Sequence, residues 1–233
     1  MKIGITERGD PSLVDSAFLQ ARLQEKANII VTKNITPLHD FLLFNQKRII
    51  LHHTITGYGG SIVEPKVKSS TDQFDSLYNL IHKGFPVNQI VGRVDPIFPS
   101  EEGIKIGLDM IYRFIGLDIR RIRYSFVNAY KHVRERFDAK NCDLLANCNN
   151  DLKETFYEAL QKIELSTFES CCNNDQYGRG CISFTDLNTL GVKYELTGAA
   201  NTRYACKCPS EKHELLVDNK RCGHKCLYCY MYD

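Results

Sequence analysis

Short apolar segments rich in β-formers alternate with helix-like segments through the first 170 residues, and this alternation narrows the possible folds sharply. Six strand candidates occur at Lys2–Thr6, Asn28–Thr32, Arg48–Thr54, Gln89–Val94, Ile122–Val127 and Leu165–Glu169. Helical patterns separate them at Ser12–Lys26, Pro37–Asn45, Ser70–Lys83, Glu101–Gly116 and a long region spanning Tyr130–Ile163. Asp10 or Ser12, and the Ser69-Ser70-Thr71-Asp72 run, read as helix starts. Gly84 and Gly116 stand where helices end. Parallel strands need helical crossovers, so the pattern predicts an α/β fold with a parallel sheet. Both an open doubly wound sheet and a (β/α) barrel satisfy it. No glycine-rich dinucleotide fingerprint follows the first strand, which weakens the nucleotide-binding doubly wound alternative.

From Cys171 onward the alternation is lost, and residues 171–233 read as a cysteine-rich tail appended to residues 1–170 as one structural unit. All ten cysteines lie beyond residue 140. A disulfide framework would not leave the longer part of the chain empty, and the early charges of Met1-Lys2-Ile3-Gly4-Ile5-Thr6-Glu7-Arg8 do not suit an export signal. A cytoplasmic protein is expected. No apolar run has membrane-spanning length, and a net charge of +2 without a basic block gives no general phosphate-binding signal.

Cysteines 222, 226 and 229 form C-x-x-x-C-x-x-C, with Tyr228 and Tyr230 flanking the last. Thiolates this close are expected to hold a metal or cluster. Two readings stand. Cys206, Cys208, Cys226 and Cys229 supply four thiolates for a closed zinc site that would staple the tail of a non-catalytic binding protein. Alternatively, three cysteines bind an iron–sulfur cluster and leave one position open. Cys142 and Cys148 are read as small buried hydrophobes.

Strand ends carry chemistry in parallel α/β folds. Here they read Thr6-Glu7-Arg8-Gly9-Asp10, Thr32-Lys33-Asn34, His52 through Gly59 with Glu64-Pro65, Arg93-Val94-Asp95-Pro96, Ser125 through Asn128, and Glu169 through Cys172. Six successive strands thus deliver charged or hydroxyl groups to one sheet edge. His52 and His53, adjacent in a strand, should face opposite ways. No G-x-S-x-G elbow, H-E-x-x-H or P-loop accompanies them.

The terminal triplet resembles the cluster motif of radical S-adenosylmethionine enzymes, which use a partial (β/α)6 barrel. Their triplet normally follows the first strand; here it follows everything else, which implies a permuted barrel. The chain is also similar, nearly end to end, to the family called domain of unknown function 1848. That similarity rests on Arg8, Asp10, Thr32-Lys33-Asn34, Thr56, Tyr58-Gly59, Glu64-Pro65, Arg93-Val94-Asp95-Pro96-Ile97, Ser125-Phe126-Val127 and Tyr130. In the tail it rests on Cys181-Ile182, Arg203, Cys206, Cys208 and the triplet with His224, Tyr228 and Tyr230. Asn128 and Ser183 depart from it, standing where acids are expected.

The resemblance implies a 4Fe-4S cluster on Cys222, Cys226 and Cys229, S-adenosylmethionine as cofactor, and a 5′-deoxyadenosyl radical acting on a small-molecule or nucleotide substrate. It implies an electron donor such as flavodoxin or ferredoxin. Lys33, Arg93 and Arg8 are then candidates for the methionyl carboxylate or an anionic substrate. Asp95, Glu64 and Glu169 are candidates for the ammonium or ribose hydroxyls. Thr32, Ser125, Tyr228 and Tyr230 complete the cofactor-binding set, and His224 is a hydrogen-bond donor behind the cluster. The remaining cysteines, Cys171 or Cys172 with Cys181, Cys206 and Cys208, suggest a second cluster.

Overall fold

The computed structural model of the protein describes residues 1–171, 175–193, 207–216 and 222–231. Cys172 and Cys206, both expected as metal ligands, and Arg203 lie outside the described residues.

Six strands are close to their expected positions: β1 (Ile3–Ile5), β2 (Asn28–Thr32), β3 (Ile49–Thr54), β4 (Ile90–Ile97), β5 (Arg121–Phe126) and β6 (Thr167–Ser170). Helices α1 (Ser16–Arg22), α2 (His39–Asn45), α3 (Ser70–His82) and α4 (Glu101–Gly116) connect the first five. The long region after β5 splits into α5 (Lys131–Asp138) and α6 (Leu152–Gln161). The tail is a correction: it carries a short helix, α7 (Phe184–Thr189), and a seventh strand, β7 (Lys212–Glu214). The sheet order is β6-β5-β4-β3-β2-β1-β7, and every neighbouring pair is parallel. The chain winds one way from β1 to β6, then returns to add β7 on the far side of β1, with Ile3 beside Lys212.

All six residues of β3 are buried, as expected where both faces of a parallel sheet are covered. α4 shows how one face is covered. Ser100 Oγ accepts from Gly103 N at 3.0 Å and starts the helix. Ile104, Gly107, Met110, Ile111 and Phe114 then form one buried stripe. Phe114 lies so close on β4 that a Cβ at Gly92 would fall 2.6 Å from its ring. Among the described residues, no helix is long and apolar enough to cross a membrane.

The other face is layered by the two-residue period of the strands. Ile3, Ile5, Ile29, Ile50 and Val91 make an apolar floor, covered by Cys171, Cys181, Ile182, Leu187 and Cys208. Two residues further along the same face come Glu7, His52 and Arg93, with Arg123 and Glu169 beside Arg93. One more step reaches Lys33, Thr54, Asp95, Ser125 and Cys171. The inner face therefore turns from aliphatic to charged toward the strands' C-terminal ends.

Candidate functional site

That charged end opens into a cavity of ≈ 220 Å³. Its wall includes Thr6 and Glu7 through Asp10 after β1, Thr32 and Lys33 at β2, Thr54, Arg93 and Asp95, Ser125 through Asn128, and Cys171. From the far end of the chain come Cys222, His224, Lys225, Cys226, Tyr228, Cys229, Tyr230 and Met231. The cysteine triplet and the strand-end crown, far apart in sequence, share one cavity.

Several contacts seat the terminal loop. Leu227 is buried among Tyr58, Val63, Phe98, Val133, Phe137 and Leu145, and its N–H donates to Val63 O at 2.9 Å. Burying one leucine contributes roughly 2 kcal/mol. His224 Nε2 lies 3.0 Å from Asp10 Oδ2. Arg136 of α5 donates to Cys229 O.

Asp10 ties this loop to two strands. Its carboxylate accepts from Thr32 Oγ1 at 2.6 Å, Lys33 N at 2.7 Å and Ser12 N at 2.9 Å. Burial pushes the Asp10 pKa up, but His224, Thr32 and the Lys33 amide outweigh it and hold it below the ordinary value. Burial likewise opposes the charge on His224, and Asp10 outweighs that too, raising the His224 pKa.

A second buried set lies beside the triplet. Lys33 Nζ contacts Glu64 Oε1 at 2.8 Å, Tyr228 OH donates to the same oxygen, and Lys33 Nζ lies 5.4 Å from the centre of the Tyr228 ring. Glu64 is fully buried and reaches the site through these partners, not through the cavity wall. Its loop folds tightly because Gly59 lets Lys68 O approach: a Cβ there would fall 1.9 Å from that oxygen.

Arg93 grips Asp95 through Nε at 2.9 Å and through Nη2, and Ser125 donates to the other Asp95 oxygen. Arg8 is exposed at the rim, its backbone N–H donating to Glu214 at 3.0 Å. Tyr230 lies there too, 6.4 Å from Tyr130 between ring centres.

Glu169 is not in the cavity wall. It pairs with Arg123, which is fully buried beneath the wall and also binds Asp186 at 3.2 Å and Cys181 O at 2.8 Å. His52 and His53 face opposite ways. Burial first, then Arg123, lowers the His52 pKa to about 4; burial lowers that of His53 to about 3. Both are neutral, and neither lines the cavity.

Asp10 and Arg123 are the residues whose importance a sequence reading most underestimates. Asp10 resembles a simple turn start before Pro11. Arg123 does leave a trace, being a charge on the inward period of a buried strand.

Cys181 and Cys208 sit on the inner floor. Cys181 Sγ is 2.8 Å from Cys171 Sγ, and Cys181 N donates to Cys208 Sγ at 3.1 Å. Hydrogen bonds from Cys171 and Cys208 pull the Cys181 pKa well below that of an ordinary thiol, and Cys208, held to Cys181, is raised.

Among the described residues, no group of three or more His, Cys, Asp or Glu side chains has the arrangement to hold a metal ion. The donor chemistry of the triplet still suits a soft metal centre. Cys222, Cys226 and Cys229 face one cavity and influence each other electrostatically: burial first, and Cys229 to a smaller degree, raises the Cys222 pKa, and Cys222 adds a little to the rise that burial causes at Cys226. Burial, with Lys33 opposing it, pushes Cys226 up to about 12, so a bound cation is what would release its proton.

Residues 16–231 match the family described as domain of unknown function (DUF1848). The match covers nearly the whole chain, and the protein belongs to this family. No curated protein and no solved structure matches it.

Proposed function

We propose that the protein is a radical S-adenosylmethionine enzyme on a partial, permuted (β/α)6 barrel of the TIM type, its cysteine-rich tail closing the barrel mouth. The observation that supports this most is the convergence of Cys222, Cys226 and Cys229 on the cavity at the strands' C-terminal ends. Reacting groups gather at that end in barrels of parallel strands.

Cys222, Cys226 and Cys229 would hold a 4Fe-4S cluster. When bound, the cluster would supply the electron for reductive cleavage of S-adenosylmethionine, the chemistry that would start hydrogen abstraction from a substrate. The chain's own residues bind and orient. Asp95, paired with Arg93 and aimed by Ser125, suits the methionyl ammonium. Lys33 at the wall and Arg8 at the rim suit a carboxylate or an anionic substrate. Tyr228 shields the triplet, with its hydroxyl fixed by Glu64. Thr32, through Asp10, sets the position of His224 behind the loop. Tyr230 offers a flat face at the rim. Glu169, turned to Arg123, supports the wall from below.

A low-potential donor such as flavodoxin or ferredoxin would supply the electron, and the cytoplasm suits both the thiolates and that donor. The substrate would be a small molecule or nucleotide. The zinc-staple alternative draws no support from the tail's layout, because Cys208 packs against Cys181 and is not in the cavity wall with Cys226 and Cys229.

The test is spectroscopic. Anaerobic loading of the whole chain with iron and sulfide is expected to give a coloured cluster whose EPR spectrum, after reduction, changes on adding S-adenosylmethionine. A spectrum indifferent to S-adenosylmethionine, or a colourless chain that holds only zinc, overturns the proposal.

A further inference from the structure

Three cysteines outside the terminal triplet meet on the inner floor. Cys171 follows β6, Cys181 precedes α7, and Cys208 precedes β7. Each is buried, and Cys171 also lines the cavity. Cys181 is in contact with both others, by Sγ to Cys171 Sγ at 2.8 Å and by N–H to Cys208 Sγ at 3.1 Å. A backbone N–H directed at a sulfur is a feature that stabilises metal-bound thiolates. The backbones are also pressed together: Gly180 has φ +88°, and a Cβ there would lie 2.8 Å from Cys208 N.

The polar groups around these sulfurs are unusual for a buried aliphatic floor. Glu7 Oε1 lies 3.7 Å from Cys181 Sγ, and its other oxygen pairs with Lys212. Arg93, 93% buried, has its Nη1 without a hydrogen-bond partner among the described residues, and its guanidinium lies within the electrostatic reach of Cys181 and Cys171. A buried, unsatisfied guanidinium N–H is costly. Anionic thiolates on a metal would use it, while three neutral thiols would not.

We propose that Cys171, Cys181 and Cys208, with Glu7 as the adjacent carboxylate donor, form a second thiolate-held metal centre behind the cavity wall, taking iron or zinc. Two thiolates on one tetrahedral metal stand about 3.8 Å apart at metal–sulfur bonds of about 2.3 Å. Cys171 and Cys181 therefore separate by about 1 Å on loading, a shift that side-chain rotation supplies. The centre goes beyond the proposed radical activity and does not depend on it.

The test uses the full chain with the triplet removed, Cys222→Ser/Cys226→Ser/Cys229→Ser, loaded without oxygen in two arms, one with ferrous iron and sulfide and one with zinc. Retention of one centre per chain in either arm, and its loss on adding Cys181→Ser, is the expected result. Iron with visible absorbance identifies a cluster, and zinc alone a structural site. A folded triplet-free chain that takes up neither metal, or holds a metal equally well after Cys181→Ser, overturns the proposal, as does a Cys171–Cys181 disulfide in that chain. Should the triplet-free chain not fold, Cys181→Ser/Cys208→Ser in the otherwise intact chain decides: metal content unchanged from the parent overturns the proposal, and a fall by one centre upholds it. Metal retained by the triplet-free chain, beside an intact chain whose cluster ignores S-adenosylmethionine, would leave this centre standing and remove the radical activity.

Discussion

Lys33 and Glu64 illustrate how single residues govern this site. Their side chains are 14% and 0% exposed, so removing one partner strands a buried charge. Glu64→Leu is expected to destabilise the protein by about 3–5 kcal/mol. Adding Lys33→Met should restore much of that loss, since an apolar pair replaces an ion pair at small cost. Urea unfolding of the two variants checks this; a single-variant loss below about 1 kcal/mol would mean that the pair is effectively solvated. The residue types were legible in the sequence, but the pairing was not. Thirty-one positions separate Lys33 from Glu64, and nothing local in either segment encodes the match. The wider role of Asp10 was hidden for a different reason. Its bond to Ser12 N makes it the turn start that its neighbour Pro11 suggests, and its bonds to Thr32, Lys33 and His224 come on top of that local role.

Elements with a strong period were readable, and short ones were not. α4 has the bounds that its capping serine, acidic first turn and apolar stripe foretell. β7 spans three residues, Lys-His-Glu, with no apolar alternation; its pairing with β1 makes it a strand. α7 has six residues and depends on a capping box between Ser183 and Asp186. Asp186 also pairs with Arg121 and Arg123, and these outweigh burial to hold its pKa well below the ordinary carboxylate value. Asp186→Asn should therefore cost roughly 3–5 kcal/mol at neutral pH. The depressed pKa means that this contribution is present above pH 4 and is lost on further acidification, so the variant should also lose part of the acid-unfolding limb below pH 4.

β3 adds a separate pH dependence. His52 and His53 titrate at about 4 and about 3 in the fold, against 6.5 when exposed. Between those values the unfolded chain binds more protons, so stability is greatest above pH 6.5 and falls as pH drops toward 3 to 4. Each histidine contributes a slope of up to about 1.4 kcal/mol per pH unit. Replacement by an uncharged residue, His53→Gln, should flatten the stability profile between pH 6 and 4, as measured by denaturant unfolding at several pH values. An unchanged slope would show that His53 is already protonated in the fold.

At the scale of the whole molecule, the two ends of the chain meet. The alternation of strands and helices announced the parallel sheet, and strand-end residues announced the crown. That the tail enters the cavity could not be read from spacing, because it depends on Leu227 finding an apolar cluster and His224 finding Asp10. Asp10→Ala should loosen this docking without unfolding the sheet. Amide exchange at Leu227, whose N–H is held by Val63 O, should then accelerate while exchange in β3 stays slow. Equal acceleration in both would mean that Asp10 supports the fold globally.

We propose that the terminal triplet works chemically in the strand-end cavity. Product analysis after anaerobic loading with iron and sulfide, with a strong reductant and S-adenosylmethionine present, tests it most directly. 5′-Deoxyadenosine and methionine are expected from the wild-type chain and neither from Cys226→Ser, with the Cys226→Ser chain still folded. No cleavage by a wild-type chain carrying its cluster, or equal cleavage by both chains, would contradict it.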